Sequence, residues 1–190
     1  YENVSKQTVQ TFINCGLHTG QLPHTFLLTK GLHVPSSQAC MLAEHSPADA
    51  FFRGIPADYK AVLKAVVKDM KRPYYADIIA GVIPDRLTHF LDVCEACAAT
   101  ADIAEAQGET AVAEKLRQFA DRWTDAYDTQ TGYIYKDHDY YEGNYRNYSF
   151  RLLRNMDKRM ELAGGRDAFV AQLDNFFGFV KADEYSGCFE

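Results

Sequence analysis

No apolar run in this chain approaches the roughly eighteen residues that a membrane span requires. The 190 residues carry a formal net charge of −6, so neither nucleic acid nor membrane is expected as a partner. A disulfide framework is missing too, because the five cysteines (15, 40, 94, 97, 188) are odd in number and follow no pairing pattern. Cys94 and Cys97 form a lone CxxC, "CEAC", with no second CxxC or HxxxH to complete a zinc site. Two small semi-apolar residues at i and i+3 on one helix face account for it. There is no βαβ alternation, no heptad seam and no recurring unit of solenoid length. The opening "YENVSKQTVQ" has neither initiator Met nor a signal pattern, and the closing "ADEYSGCFE" has no helix-stop logic. The chain is therefore expected to be a piece of something longer.

What is present reads as helix. With 47% hydrophobic and 24% charged residues, the composition is that of a globular protein, and the length suits a single domain over residues 1–190. Val9, Phe12 and Ile13 predict a helix over 5–15 stopped by Gly16. A loop follows, and then a helix capped by Ser36 or Ser37, ending at Gly54 and kinked or broken at Pro47. "PADYKAVLKAVVKDMKR" is amphipathic, with Val62, Leu63, Val66, Val67 and Met70 as its stripe and Pro73 as its end. "YYADIIAGVIP" is ambiguous between a short strand and an irregular connection. A long alanine-rich helix runs from Asp85 to Gln107 and closes at Gly108, and another follows through "ETAVAEKLRQFADRWTDAYD". After a loop come helices from about Asn144 to Ala163, stopped by Gly164 and Gly165, and from Arg166 to Phe177. Short connections between such helices imply antiparallel neighbours, hence an all-α fold of helix pairs.

Aromatics reach 13%, with twelve Tyr and twelve Phe against one Trp, and "DYYEGNYRNYSF" (139–150) concentrates them around one carboxylate. Glu142 precedes Gly143 and Asn144 at the start of a predicted helix, where the dipole favours a negative group. Tyr140, Tyr141, Tyr145 and Tyr148 suggest low-dielectric walls that raise a carboxyl pKa, as a general acid needs. Asn144, Arg146 and Asn147 supply hydrogen-bonding arms. From the residues alone, a simple helix cap is the favoured account of Glu142. His45 beside Glu44 reads either as a ligand contact or as a solvated side chain. His18, His24 and His33 match no common zinc spacing, and "KDHD" (136–139) lacks the alternating acids of a calcium loop. The basic face of "KAVVKDMKR" reads as solvent exposure.

The segment "YYEGNYRNYSFRLLRNMDKRMELAGGRDAFVAQLDNFF" resembles the signature of glycoside hydrolase family 92, the calcium-dependent α-mannosidases. Glu142-Gly143-Asn144, Tyr148, Gly164-Gly165, Ala168-Phe169, Leu173-Asp174 and Phe176-Phe177 fall on that family's pattern without a gap. "AYDTQTGYIYKD" is similar to its Phe-Asp-Pro-Glu-Thr-Gly-Phe stretch, and "CMLAEHSPADAFFRGI" places His45 on its histidine, in a segment about three residues short. The resemblance implies a central portion of an (α/α)₆ toroid, with Glu142 as general acid of an inverting hydrolase. It implies Asn144, Tyr148, His45, Tyr141 and Arg146 as sugar-binding residues, a mannose-containing glycan as substrate, calcium as cofactor with ligands not located here, and a secreted or periplasmic setting. The family's base aspartates lie in a downstream Gly-Asn-Asp/Glu-Asp motif that residues 178–190 do not contain. The base is therefore expected in the remainder of the catalytic domain, and the chain by itself is expected to be inactive. Three departures accompany the match: Arg146-Asn147-Tyr148 for Trp-Gln-Tyr, Leu153-Arg154-Asn155 for Pro-His-Asp, and "VCEACA" for an aromatic, doubly acidic helix. They leave two other readings open, a non-catalytic carbohydrate-binding or scaffolding domain, and a helical module whose aromatic patch binds a protein.

Overall fold

A computed structural model of the chain describes residues 2–22, 25–27, 31–33, 40–151 and 155–179, with backbone alone for 25–27, 31–33 and Leu42. The fold is all-α, as expected, and in keeping with a segment of an (α/α)₆ toroid. Its one sheet among the described residues is a two-stranded hairpin, β1 (Thr25–Leu27) antiparallel to β2 (Gly31–His33). The chain divides into two compact units. The first holds residues up to Pro84 together with His89–Arg122, and the second holds Asp85–Thr88 and the chain from Trp123 onward.

In the first unit, α1 (Glu2–Thr19) packs on α2 (Leu42–Phe52) and α3 (Tyr59–Asp69). Gly16 does not stop α1. The helix runs through it because Gly16 is buried where α1 crosses α3, and a Cβ there would sit 2.6 Å from Ala65 Cβ and 2.9 Å from Leu22 Cδ2. The helix ends at Gly20, whose φ of +79° suits a residue without Cβ. Gly16→Ala is expected to destabilise the protein by about 1–3 kcal/mol, overpacking outweighing alanine's better helix propensity. The urea midpoint reads this, and a stabilised variant refutes the close crossing.

α2 runs through Pro47 as one helix, and the expected caps at Ser36 and Ser37 lie outside the described residues. Asp58 caps α3 by accepting the Ala61 N–H at 2.9 Å, and Val62, Leu63, Ala65, Val66 and Met70 are buried while Val67 is only half-buried. Pro73 does not merely end α3. It starts α4 (Pro73–Ala80), the segment left ambiguous by sequence, at a first-turn position where its missing N–H has no helical partner to lose.

α5 (Leu87–Ala106) is buried on most of its circumference, and its alanines and cysteines let neighbours approach closely. Cys94 and Cys97 are free thiols inside this packing, and burial pushes the Cys97 thiol up to about 12. They fill space, as the spacing suggested. α6 (Thr110–Ala120) follows, and a 3₁₀ turn (Asp121–Ala126) leads into the second unit.

The single helix predicted from 144 to 163 is two helices, α7 (Tyr145–Ser149) and α8 (Met156–Leu162). Asn155 starts α8 afresh, its side chain accepting the Lys158 N–H at 2.9 Å. Residues 153 and 154, the other two of the departure from Pro-His-Asp, lie outside the described residues. Gly164 and Gly165, with φ of +94° and +112°, separate α8 from α9 (Arg166–Phe176). Among the described residues no helix is long and apolar enough to cross a membrane.

Candidate active site

The second unit builds its aromatic loop on a scaffold of backbone and buried polar bonds. An isolated antiparallel bridge joins Tyr127 to Ile134, and between them Asp128 closes the "DTQTG" turn. Its carboxylate accepts the Gln130 N–H at 2.9 Å and the Thr131 hydroxyl at 3.1 Å. Gly132 (φ +70°) has to be glycine, since a Cβ would lie 2.7 Å from Ala163 Cα. Further along, Asp139 is laced to the strand-like segment before α5. Its N–H reaches Asp85 O at 3.0 Å, its carbonyl takes the Leu87 N–H at 3.2 Å, and Arg86 Nε donates to its Oδ2 at 2.6 Å.

Ser149, fully buried, is the crossing point of this scaffold. Its Oγ accepts the Ile134 N–H at 2.9 Å and donates to Tyr145 O at 2.6 Å. Its carbonyl accepts Tyr127 OH at 3.2 Å and Arg159 Nε at 3.0 Å. Arg159 is 1% exposed, with its guanidinium 4.9 Å from the Tyr127 ring centroid and 5.0 Å from that of Phe169. Burial pushes that guanidinium down from its ordinary value. Sequence reasoning missed Tyr127, Ser149 and Arg159. None stands in a recognisable motif, and only the fold reveals that they share one carbonyl.

On this base sits the Glu142 turn. Glu142 is one of two non-glycine residues with positive φ among the described residues, at +50°. Such left-handed backbone is strained for a residue with a Cβ and collects at functional positions. Glu142 is not the cap of α7. Asn144 is, with its Oδ1 accepting the Arg146 N–H at 2.8 Å while Asn147 Oδ1 accepts the Asn144 N–H at 3.1 Å. The capping account of Glu142 therefore falls, because the donors it would have served are already taken.

The expected tyrosine walls also differ. Tyr148 donates its hydroxyl to Tyr141 O at 2.6 Å and stacks on Tyr140 at 5.7 Å, and Tyr145 packs edge-on against Tyr133 at 5.9 Å. Burial pushes the Tyr140 phenol up. The rings thus pack against one another, and the Glu142 carboxylate is left exposed, with no hydrogen bond or ion pair among the described residues. Gly143 keeps this packing possible, since a Cβ there would come within 3.2 Å of Tyr148 Cε2.

Tyr141, Glu142, Asn144, Arg146 and Tyr148 are thus brought together on one turn and the short helix it enters. Arg146 also donates from Nε to Tyr145 OH at 3.0 Å. His45 belongs to the first unit, half-buried on α2. There it lines a groove of about 430 Å³ with Ser5, Thr8, Asp49 and Arg53. Asn144→Ala is expected to cost about 1 kcal/mol through the lost cap and to lower activity by loosening the turn that carries Glu142. Parallel thermal melts and rate measurements test this, and an unchanged melting temperature contradicts the capping role.

Over residues 1–187 the chain matches the description "Glycosyl hydrolase family 92 catalytic domain". Among solved structures it is similar to the family GH92 inverting mannosidase of Bacteroides thetaiotaomicron VPI-5482, with a TM-score of 0.79 and 19% sequence identity. That match covers 97% of this chain and 29% of the mannosidase, and at this identity it shows the fold. No curated protein matches.

Proposed function

Because the chain belongs to glycosyl hydrolase family 92, we propose that it forms part of a glycoside hydrolase acting on α-mannosides, with Glu142 as the general acid. The observation that carries this reading is the Glu142 carboxylate itself. It is exposed, unpartnered among the described residues, and held on left-handed backbone between a half-buried tyrosine stack and a capped helix. A carboxyl group so placed can meet the glycosidic oxygen of a bound sugar and give up its proton as the C–O bond breaks. Tyr141, Asn144, Arg146 and Tyr148 share the turn and short helix that carry Glu142 and are the proposed sugar-binding residues.

Inversion requires a second carboxylate about 6.5–9.5 Å away to activate the attacking water. We place that base in the larger catalytic domain, of which this chain spans a fraction: 29% of the matched mannosidase. Calcium is the family's expected cofactor. Among the described residues, however, no three His, Cys, Asp or Glu side chains come together to hold a cation, and no step is routed through one here.

A second reading, sugar binding without hydrolysis, draws on one specific feature. Arg146 and Asn147 stand where the family signature has Trp and Gln, and the Asn147 Oδ1 is spent on the helix cap. One experiment separates the two. The complete protein containing this chain is assayed on aryl α-mannosides and α-1,2-mannobiose, with and without calcium, as wild type and as Glu142→Ala. Mannobiose hydrolysis that disappears with Glu142→Ala while sugar binding persists supports the acid. Mannobiose hydrolysis indifferent to Glu142 overturns it.

A further inference from the structure

Three carboxyl oxygens inside the first unit have no hydrogen-bond partner among the described residues: both of Glu44 and Oδ2 of Asp69. Neither side chain reaches solvent, with Glu44 at 1% and Asp69 at 0% exposure. The remaining oxygen, Asp69 Oδ1, is committed. It accepts the Leu22 N–H at 3.0 Å and faces Arg72 Nη1 at 3.5 Å. The surroundings offer little else to a second charge. Arg72 approaches from the start of α4 as one cation for two carboxyls, also reaching Tyr75 OH at 3.5 Å. Tyr75 from α4, Cys40 from the segment before α2, and Cys97 from α5 are the other titratable neighbours, all buried.

The backbone here is held taut. Met41, left-handed at φ 47°, sends its N–H to Tyr75 OH at 3.4 Å, and Cys40 sends its N–H to Asp92 Oδ2 at 3.0 Å. These ties keep Glu44, in the first turn of α2, against the end of α3, where two ionised carboxylates without water would repel uncompensated.

We propose that Glu44 and Asp69 share one proton, so that the pair is a clasp between α2 and α3 that loosens as the pH rises. One proton joins two of the three orphaned oxygens, Glu44 donating from one oxygen and Asp69 Oδ2 accepting. It also leaves a single negative charge, which Arg72 offsets. The direction of titration agrees. Burial first, and then the charge of Asp69, push Glu44 well above its ordinary 4.5, against a weaker pull from Arg72. A carboxyl whose folded pKa is raised contributes stability that is complete below 4.5 and is lost as the pH climbs through the folded value. When the clasp opens, the proton passes to solvent and two carboxylates remain. The inference does not depend on the catalytic role of Glu142.

Hydrogen exchange of the α2 and α3 amides in the complete protein, corrected for intrinsic exchange across pH, tests it. Wild-type protection is expected to fall about tenfold per pH unit once the pH exceeds the ordinary glutamate range, one proton being released on opening. Glu44→Gln, a neutral isostere, is expected to abolish that slope and to raise protection at alkaline pH. Asp69→Asn, which keeps an acceptor for Leu22, is expected to end the slope at a lower pH. A wild-type profile without slope, or a slope that survives unchanged in both variants, overturns the proposal.

Discussion

Glu142→Gln is expected to lower turnover of the complete enzyme on unactivated α-mannosides by about 10²–10⁴-fold, the usual contribution of a positioned general acid. The amide keeps the size and exposure of the side chain on its left-handed turn but has no proton to give. The loss therefore depends on the leaving group. A poor alkoxide needs protonation as the C–O bond breaks, whereas an activated phenolate or fluoride departs without it. The informative measurement is kcat on a disaccharide beside kcat on an activated aryl mannoside. A large deficit on the first and a small one on the second identify the acid. Equal deficits on both would falsify that role and return Glu142 to substrate binding. Because Asn144 and Asn147 hold the cap of α7 without Glu142, the substitution is expected to leave the melting temperature almost unchanged, so lost activity is not lost folding.

The second large effect concerns stability. Arg159→Ala is expected to cost about 3–5 kcal/mol, the range for emptying a large buried side chain. The guanidinium is stacked among Tyr127, Phe150 and Phe169 and holds the Ser149 carbonyl, while its Nη2 lies 3.3 Å from Gln172 Oε1. Gln172 in turn donates to Thr131 O at 2.9 Å, so the same residue ties α9 to the turn that carries Gly132. Arg159→Met is expected to cost much less, under about 1.5 kcal/mol, because it keeps the volume and removes a desolvated charge. Its Nη1 has no partner among the described residues, so that charge is incompletely compensated already. Equilibrium urea unfolding of the two variants decides between the roles. An Ala variant no worse than the Met variant shows that the packing of this side chain does not support the loop.

How far the sequence reached differs between elements. α3, α5 and α9 were legible from composition, spacing and local stop signals, and the glycines at 108, 164 and 165 stop helices where predicted, whereas α6 ends at Ala120 and gives way to a 3₁₀ turn inside the segment predicted as one helix to Asp128. Gly16 and Pro73 were misread for one reason: a glycine or proline has several structural uses. Only the partner surface, Ala65 against Gly16, or the start of a new helix at Pro73, selects one. The break between α7 and α8 was likewise invisible, because the strand of bonds through Ser149 that ends α7 comes from residues 10 and 15 to 22 positions away in the chain.

At the Glu142 turn the division is the same. Residue order alone determined the all-α class and the family signature around Glu142-Gly143-Asn144, since both rest on local composition and spacing. Whether Glu142 caps a helix or stands free was decided by tertiary structure. That answer depends on which side chain occupies the cap, which hydroxyls the tyrosines satisfy among themselves, and how the backbone turns to reach φ +50°. The burial of both Glu44 and Asp69, on two successive helices, was decided there as well. Desolvation belongs to the folded assembly of helices, and no window of residues contains it.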